Sequence, residues 1–159
     1  MTINSKCDTP RFVVHVIGGL VNQMFQYAMG RALSEARGAV LMLDVSDFRA
    51  YEKHQGFELQ KIFSLQINLA NKEDLRQLLG WQSAPSVKNI LSRSAMKLFR
   101  KKNLVFEPQF EYWNDFESIP DNSYIAGYWQ TEKYFKRCEA NLRELFSFSV
   151  PLDGKNISV

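Results

Sequence analysis

The sequence predicts an α/β fold with a Rossmann-like parallel sheet and flanking helices. An apolar run rich in β-branched residues, 12–17, is followed at once by glycines and then by a stretch with helical spacing. A second apolar run, 39–45, comes directly after that helix. A strand, a helix and a strand in this order imply adjacent parallel strands joined by a right-handed crossover.

The first helix is predicted over residues 22–37, because its apolar residues recur every three to four positions. Gly38 stands where a helix stop is expected. A second helix-like pattern begins at Asn71, with acidic residues in its first turn and Gly80 behind it. The other predicted elements are a loop over 51–60, a short strand within 61–68, helices over 86–102 and 131–146, and a strand over 123–129.

One domain is predicted over residues 11–159, preceded by a disordered N-terminus over residues 1–10. A chain of 159 residues is long enough to bury one core. The last four residues, NISV, have the pattern of a strand that is only beginning. The sequence is therefore expected to be a fragment of a longer protein.

The composition indicates a soluble globular protein, with 45% hydrophobic and 23% charged residues. A net charge of +3 is too small to indicate a nucleic-acid partner. The two cysteines and two histidines are too scattered for a metal site, so no metal is predicted. No signal peptide and no membrane-spanning apolar run are visible, which predicts a cytoplasmic location.

The most informative local feature is the turn after the first strand. Gly18 and Gly19 allow a ligand to approach the backbone, and free N–H groups at the following helix N-terminus attract anions. Asn22 and Gln23 place amide side chains at the same helix N-terminus. Neither the dinucleotide fingerprint nor the phosphate-binding P-loop pattern fits this segment. Taken alone, a Gly-Gly pair after a strand is explained equally well by a tight turn.

Other polar residues leave two interpretations open. Asp44 ends a strand, where it can contact a sugar hydroxyl or form a turn with its neighbours. Trp129 and Gln130 follow the predicted last strand and can serve a site or the core. His15 lies among apolar residues. This position favours a histidine with satisfied hydrogen bonds in the core or on the sheet face over a catalytic one. No catalytic residue is identified.

Residues 86–102 contain a basic stretch opposite apolar positions. Its ordinary explanation is a solvated helix face. The alternative is peripheral docking on anionic lipid.

The longer string GGLVNQMFQYAMGRAL, residues 18–33, resembles the GGLGNQMFQYA signature that opens the α-1,2-fucosyltransferases of glycosyltransferase family 11. Three later segments agree in order and spacing, and the resemblance covers roughly residues 11–159. These segments are LMLDVSDF at 41–48, GFELQKIFSLQI at 56–67 and GYWQTEKYF at 127–135.

The resemblance implies the N-terminal, acceptor-side half of a GT-B glycosyltransferase. Such an enzyme transfers L-fucose from GDP-fucose to the 2-hydroxyl of a galactoside-terminated oligosaccharide or glycolipid, with inversion and without a metal or other cofactor. A glycolipid acceptor would bring the protein to the inner face of an anionic membrane. The substrate-binding candidates are Gly18, Gly19, Asn22, Gln23, Asp44, Trp129 and Gln130.

The sequence departs from the family pattern in two ways. Val21 stands where the family has glycine, and a β-branched residue fits poorly if the backbone there is left-handed. The His-x-Arg-Arg-x-Asp element that holds GDP-fucose should begin immediately after the last residue, so this fragment alone is expected to be inactive. The alternatives are a non-catalytic relic or glycan-binding module and, less favoured, an unrelated nucleotide-binding domain.

Overall fold

The predicted α/β fold is present in a computed structural model that describes residues 9–49 and 56–147. Its sheet has four parallel strands in the order β2-β1-β4-β3, with helices flanking it. The strands are β1 Arg11–His15, β2 Val40–Asp44, β3 Leu104–Phe106 and β4 Ser123–Ala126. The helices are α1 Leu20–Arg37, α2 Leu59–Phe63, α3 Lys72–Leu79, α4 Pro85–Leu91 and α5 Glu139–Leu145. The predictions for residues 1–8, 50–55 and 148–159 lie outside the described residues.

Strands β1 and β2 pair in parallel and α1 connects them, which confirms the predicted β-α-β unit. Successive residues of β1 point to opposite faces of the sheet, as strand geometry requires. Phe12 and Val14 belong to the core cluster that contains the buried face of α1, whereas Val13 belongs to the cluster under α3 and α4. The sheet is therefore buried on both faces, which explains the continuous apolar run in β1.

Helix α1 begins two residues earlier than predicted and ends as predicted. Gly18 has a φ of 80°, and Gly19 is the N-cap in extended conformation. Gly38 closes the helix in the left-handed conformation, with a φ of 58°. Gly30 faces β1 and β2, where an added Cβ would lie 2.7 Å from a methyl group of Val14. This glycine allows the helix to pack closely on the sheet.

The short strand predicted within residues 61–68 is wrong, because residues 59–63 form α2 instead. Leu59 and Phe63, one helical turn apart, are both buried in the core. Ser64 ends the helix with a φ of 53°. Further along, the chain makes an isolated parallel bridge between Leu43 and Leu69.

The continuous helices predicted over 86–102 and 131–146 are also wrong. Helix α4 ends at Leu91 because the Arg100 guanidinium donates hydrogen bonds to the carbonyl oxygens of residues 91, 92 and 93. A 3₁₀ segment, Ser94–Phe99, follows it. In the second region two short 3₁₀ segments precede α5, because Tyr134 is buried against Trp129 and accepts a hydrogen bond from the Trp113 amide.

The last two strands differ from the sequence expectation as well. Strand β3 lies where no element is predicted. Strand β4 ends at Ala126, three residues before the predicted end, because the chain turns at Gly127.

Candidate functional site at the carboxyl edge of the sheet

The carboxyl ends of β1, β3 and β4 open into a cleft of about 510 Å³. Ligands of parallel α/β sheets bind at this edge, where successive strands deliver their end residues to one place. The polar and aromatic side chains that line the cleft are His15, Asp47, Lys88, Asn89, Ser92, Phe106, Glu107, Gln109, Phe110, Tyr124 and Tyr128. Such a mixture of aromatic walls and a few polar groups suits a small polar ligand.

A buried ionic network forms the floor of the cleft. One oxygen of the Asp44 carboxylate accepts hydrogen bonds from Tyr124 Oη at 2.7 Å and Lys88 Nζ at 3.1 Å. The other carboxylate oxygen accepts a hydrogen bond from the Ser46 amide at 3.1 Å. Asp44 therefore forms a turn with its neighbours, which is one of the two roles predicted for it from the sequence. Lys88 Nζ also lies 2.8 Å from Tyr124 Oη.

Burial alone would raise the pKa of Asp44, whose side chain is 1% exposed. The Lys88 ammonium and the hydrogen bonds from Ser46 and Tyr124 outweigh that effect and hold this pKa at about 2. Burial and the neighbouring Asp44 charge raise the pKa of Tyr124 well above its usual value. Asp44 is therefore a buried carboxylate and Tyr124 a neutral hydrogen-bond donor at pH 7.

A histidine–carboxylate pair lies beside this floor. His15 Nε2 is 3.0 Å from Asp47 Oδ2, and the imidazole stacks on the Tyr124 ring with centroids 6.0 Å apart. The hydrogen bond with His15 lowers the pKa of Asp47, although partial burial opposes this shift. His15 is a satisfied sheet-face histidine, as predicted, and its ring also borders the cleft.

Two exposed aromatic rings stand together at the rim. Phe110 and Tyr128 stack with centroids 6.1 Å apart and an interplanar angle of 16°. Phe110 is 72% exposed and Tyr128 is 36% exposed. Exposed parallel rings beside a polar cleft provide a flat surface on which the C–H face of a sugar can pack.

Glu107, which the sequence interpretation missed, holds the turn that carries this rim. Its carboxylate accepts hydrogen bonds from the backbone amides of Tyr128, at 2.7 Å, and Trp129, at 3.0 Å. Trp129 has a φ of 56°, so the carboxylate stabilises a left-handed residue. Gly127 packs directly on Glu107, where an added Cβ would lie 2.4 Å from the glutamate Cβ. The sequence signal for this contact was Gly127 within the predicted strand, since a glycine there indicates that another group packs closely on the backbone.

The two glutamines of the Asn-Gln-Met-Phe-Gln segment are fully buried and join loops. Gln23 donates hydrogen bonds to the carbonyl oxygens of Gly18 and Gly56 and accepts one from the Glu58 amide. Gln26 accepts from the Ile17 amide and donates to the Gly127 carbonyl oxygen. These bonds connect the end of β1 to the turn after β4.

Asn22 lies in the first turn of α1 and is not its cap. Its Oδ1 accepts a hydrogen bond from Gln130 Nε2 at 2.6 Å. The helix has no side-chain cap and no acidic residue in its first turn, so its N-terminus remains suited to an anion. Val21 is helical and 63% exposed, so the left-handed strain considered for this position does not arise.

The structure therefore separates the sequence-predicted site residues into two groups. Gly18, Gly19, Asn22 and Gln130 meet at the turn beside the cleft. Asp44, Gln23 and Trp129 have side chains that are 1% exposed or less, and each supports this region from within. Contact of all seven with a substrate stays a prediction.

Within residues 9–49 and 56–147, no three His, Cys, Asp or Glu side chains gather in a way that could hold a metal ion. In the same ranges, no helix combines the length and the apolar character needed to cross a bilayer.

Comparison with known proteins relates the chain to a glycosyltransferase. It is 32% identical over 150 residues to the alpha-1,2-colitosyltransferase of Escherichia coli. The alignment covers 92% of this chain and 48% of that protein, so the chain spans about half the length of the curated relative. No protein-family model matches the chain, and no solved structure gives a significant match. The similarity agrees with the class of enzyme that the sequence motifs indicate.

Proposed function

We propose that this chain supplies the acceptor-side half of a GT-B glycosyltransferase that transfers L-fucose from GDP-fucose to the 2-hydroxyl of a galactoside, with inversion and without a metal. The observation that carries the proposal is the 150-residue alignment with an α-1,2-specific glycosyltransferase. The family resemblance of the motifs supports the donor and the linkage. Because the alignment covers about half of the relative, we expect transfer to require more polypeptide than these 159 residues.

In this proposal the acceptor galactoside lies in the cleft, with its apolar face on Tyr128 and Phe110. These stacked rings are exposed, so a sugar can reach them without rearrangement of the core. The polar groups of the cleft, including Asn89 and Gln109, are available to bind sugar hydroxyls.

The transfer step needs a group that accepts the proton of the attacking hydroxyl. We propose His15 for this role, with Asp47 orienting the imidazole. The acceptor 2-hydroxyl oxygen forms a bond to the anomeric carbon of fucose, the bond from that carbon to the diphosphate breaks, and the proton passes to His15. GDP leaves as an anion, and the uncapped N-terminus of α1 beside Asn22 suits its charge.

A second candidate donor follows from the name of the E. coli relative, which specifies colitose. Colitose is fucose without its 3-hydroxyl, so the two donors differ by a single polar group. A site that hydrogen-bonds this hydroxyl rejects the donor lacking it by a factor of about 10⁴. Competition between the two nucleotide sugars therefore identifies the donor.

The proposal is tested with a chimera that joins this chain to the part of the E. coli relative beyond the alignment. We expect the chimera to transfer the sugar that its E. coli donor-side half selects to a galactoside acceptor, and Tyr128→Ala to lower kcat/KM at least about tenfold through loss of acceptor binding. Phe99→Ala, which removes an exposed aromatic side chain elsewhere, is the matched control. A folded chimera that transfers neither sugar, under conditions where the E. coli protein is active, would contradict the proposal.

We also propose a cytoplasmic location, with a lipid-linked acceptor presented at the inner face of the membrane. The family resemblance supports this location, because glycolipids are among the acceptors it implies.

A further inference from the structure

Charge is distributed very unevenly along the chain. Residues 75–106 contain seven of the 20 Lys and Arg residues and none of the 17 Asp and Glu residues. This segment therefore carries a formal charge of +7, while the rest of the chain carries −4. It forms the end of α3, all of α4, the following 3₁₀ segment and β3.

Four large apolar side chains of this segment are exposed: Ile90, on α4, and three others. Trp81 is 68% exposed, Leu98 is 95% exposed and Phe99 is 66% exposed. The Gln82 side chain brings their backbones together, since it donates to the Phe99 carbonyl oxygen at 2.9 Å and accepts from the Lys101 amide at 3.0 Å. The three side chains thus project from two neighbouring, hydrogen-bonded segments.

The cations around these side chains are exposed and unpaired within the described part of the chain. Lys97, Lys101 and Lys102 form no ion pair with a carboxylate of residues 9–49 or 56–147. By contrast, Lys88 and Arg100 of the same segment are used internally, on Asp44 and on backbone carbonyl oxygens. Exposed cations beside exposed apolar groups complement an anionic surface with an apolar interior.

We propose that Trp81, Leu98, Phe99, Lys97, Lys101 and Lys102, together the basic apolar surface, dock the protein on an anionic lipid bilayer. Tryptophan and phenylalanine insert at the level of the headgroups, while lysines reach anionic phosphates. An almost fully exposed leucine favours lipid over nucleic acid, which has no comparable apolar interior. The inference stands on charge and exposure and does not depend on the proposed transfer reaction.

One end of the basic apolar surface lies at the amino edge of the sheet. Lys102 is followed by Asn103, whose Nδ2 donates to the carbonyl oxygens of Leu78 and Asn122. Asn103 and Asn122 immediately precede β3 and β4, so this region is at the amino edge of the sheet. Lys97, Lys101 and Lys102 also line a groove that reaches Glu107, which borders the cleft, so docking through the surface would place the bilayer beside the cleft.

The test is co-sedimentation of the chain with phosphatidylcholine vesicles that contain about one-third phosphatidylglycerol, and with pure phosphatidylcholine vesicles. Each cation near an anionic leaflet increases partitioning roughly fivefold. The triple variant Lys97→Gln/Lys101→Gln/Lys102→Gln should therefore bind anionic vesicles about a hundredfold more weakly. Leu98→Ser should weaken binding with the charge intact.

A matched control removes three exposed lysines elsewhere, as Lys61→Gln/Lys72→Gln/Lys136→Gln, and should retain most of the binding. Vesicles should also shift the tryptophan emission to shorter wavelength, and Trp81→Phe should abolish the shift. Circular dichroism verifies that each variant is folded.

Equal weakening by the two triple variants would mean that net charge alone acts, and would overturn the proposal. Equal binding to neutral vesicles, or binding to RNA in place of vesicles, would also overturn it. The proposal would likewise be overturned if the parent chain bound no vesicles and instead self-associated through contacts that Leu98→Ser removes.

Discussion

Removal of the Lys88 ammonium should expose the cost of burying Asp44. In Lys88→Met the carboxylate keeps its hydrogen bonds from Ser46 and Tyr124 but loses its only ion-pair partner among the described residues. Removing one partner of a buried ion pair usually costs 3–5 kcal/mol. Because two hydrogen bonds remain, we expect a loss of about 3 kcal/mol at pH 7, which a domain stable by about 5–15 kcal/mol survives.

The pH dependence separates this mechanism from a simple packing defect. In the parent chain the pKa of Asp44 falls from 3.8 to about 2 on folding, which corresponds to about 2 kcal/mol of stability. This contribution is present above the unfolded-state pKa and is lost as the pH falls from about 4 through about 2. When Lys88 is removed, burial raises the pKa of Asp44 above its value in the parent chain. Protonation at low pH then removes the unpaired buried charge, so the difference in unfolding free energy between the two proteins shrinks as the pH falls.

The assay is urea denaturation of the parent, Lys88→Met and the exposed-lysine control Lys72→Met at pH 7 and at a pH of about 3, where Asp44 titrates. Adding Asp44→Asn to Lys88→Met should restore part of the lost stability, because it removes the unpaired charge. A Lys88→Met loss that is below about 1 kcal/mol, or that is equal at both pH values, would refute the reasoning.

Further predictions concern the turns around the cleft. Gly127→Ala should destabilise the chain by about 2 kcal/mol or more in thermal melts, because the new Cβ would clash with Glu107. Gly38→Ala is the control: no atom lies within 4 Å of its new Cβ, so it reports only the cost of a side chain at a left-handed backbone position. Gln26→Leu should cost about 2 kcal/mol, because it leaves the Ile17 amide and the Gly127 carbonyl oxygen unpaired; a cost no larger than that of the exposed Gln130→Ala would contradict the bridging role. Val21→Gly should lower the free energy of unfolding by about 0.5 kcal/mol, because Val21 is helical and has no strain to relieve, and a stabilised variant would disprove this. In the active chimera, Asn22→Ala should lower transfer strongly at a stability cost below about 1 kcal/mol; full activity would remove the α1 N-terminus from the site.

The regular first part of the fold was predictable from local pattern. The apolar run of β1, the helical spacing of α1 and the glycine at position 38 each act over a few residues, and they agree with one another. The same holds for α3, where Asn71 and Asp74 form a reciprocal capping box that is visible in the sequence.

The errors occurred where a distant residue decides the local conformation. The periodicity of residues 86–102 allowed one helix, but Arg100 folds back onto the end of α4. The interpretation of Lys88 as part of a solvated face failed for the same reason, since its partners Asp44 and Tyr124 are 44 and 36 positions away. Glu107 was missed because its importance depends on a turn about 20 residues later.

The candidate site shows the same division. Gly18 and Gly19 follow a predicted strand, so their place at the carboxyl edge of the sheet was predictable, since parallel strands deliver their ends to one edge. Their contact with a substrate stays a prediction. The rim formed by Phe110 and Tyr128 was not foreseeable, because nothing in a sequence indicates that two aromatic residues 18 positions apart will stack.

The most direct test of the central claim is whether a galactoside binds at the carboxyl edge of the sheet. Nuclear magnetic resonance of the isotope-labelled chain, titrated with a methyl galactoside, reports this residue by residue. We expect the largest amide shift changes around Tyr128 and Glu107, abolished by Tyr128→Ala and unchanged by Phe99→Ala. Shifts confined to the basic apolar surface, or none up to millimolar galactoside, would contradict the assignment of the cleft as the acceptor site.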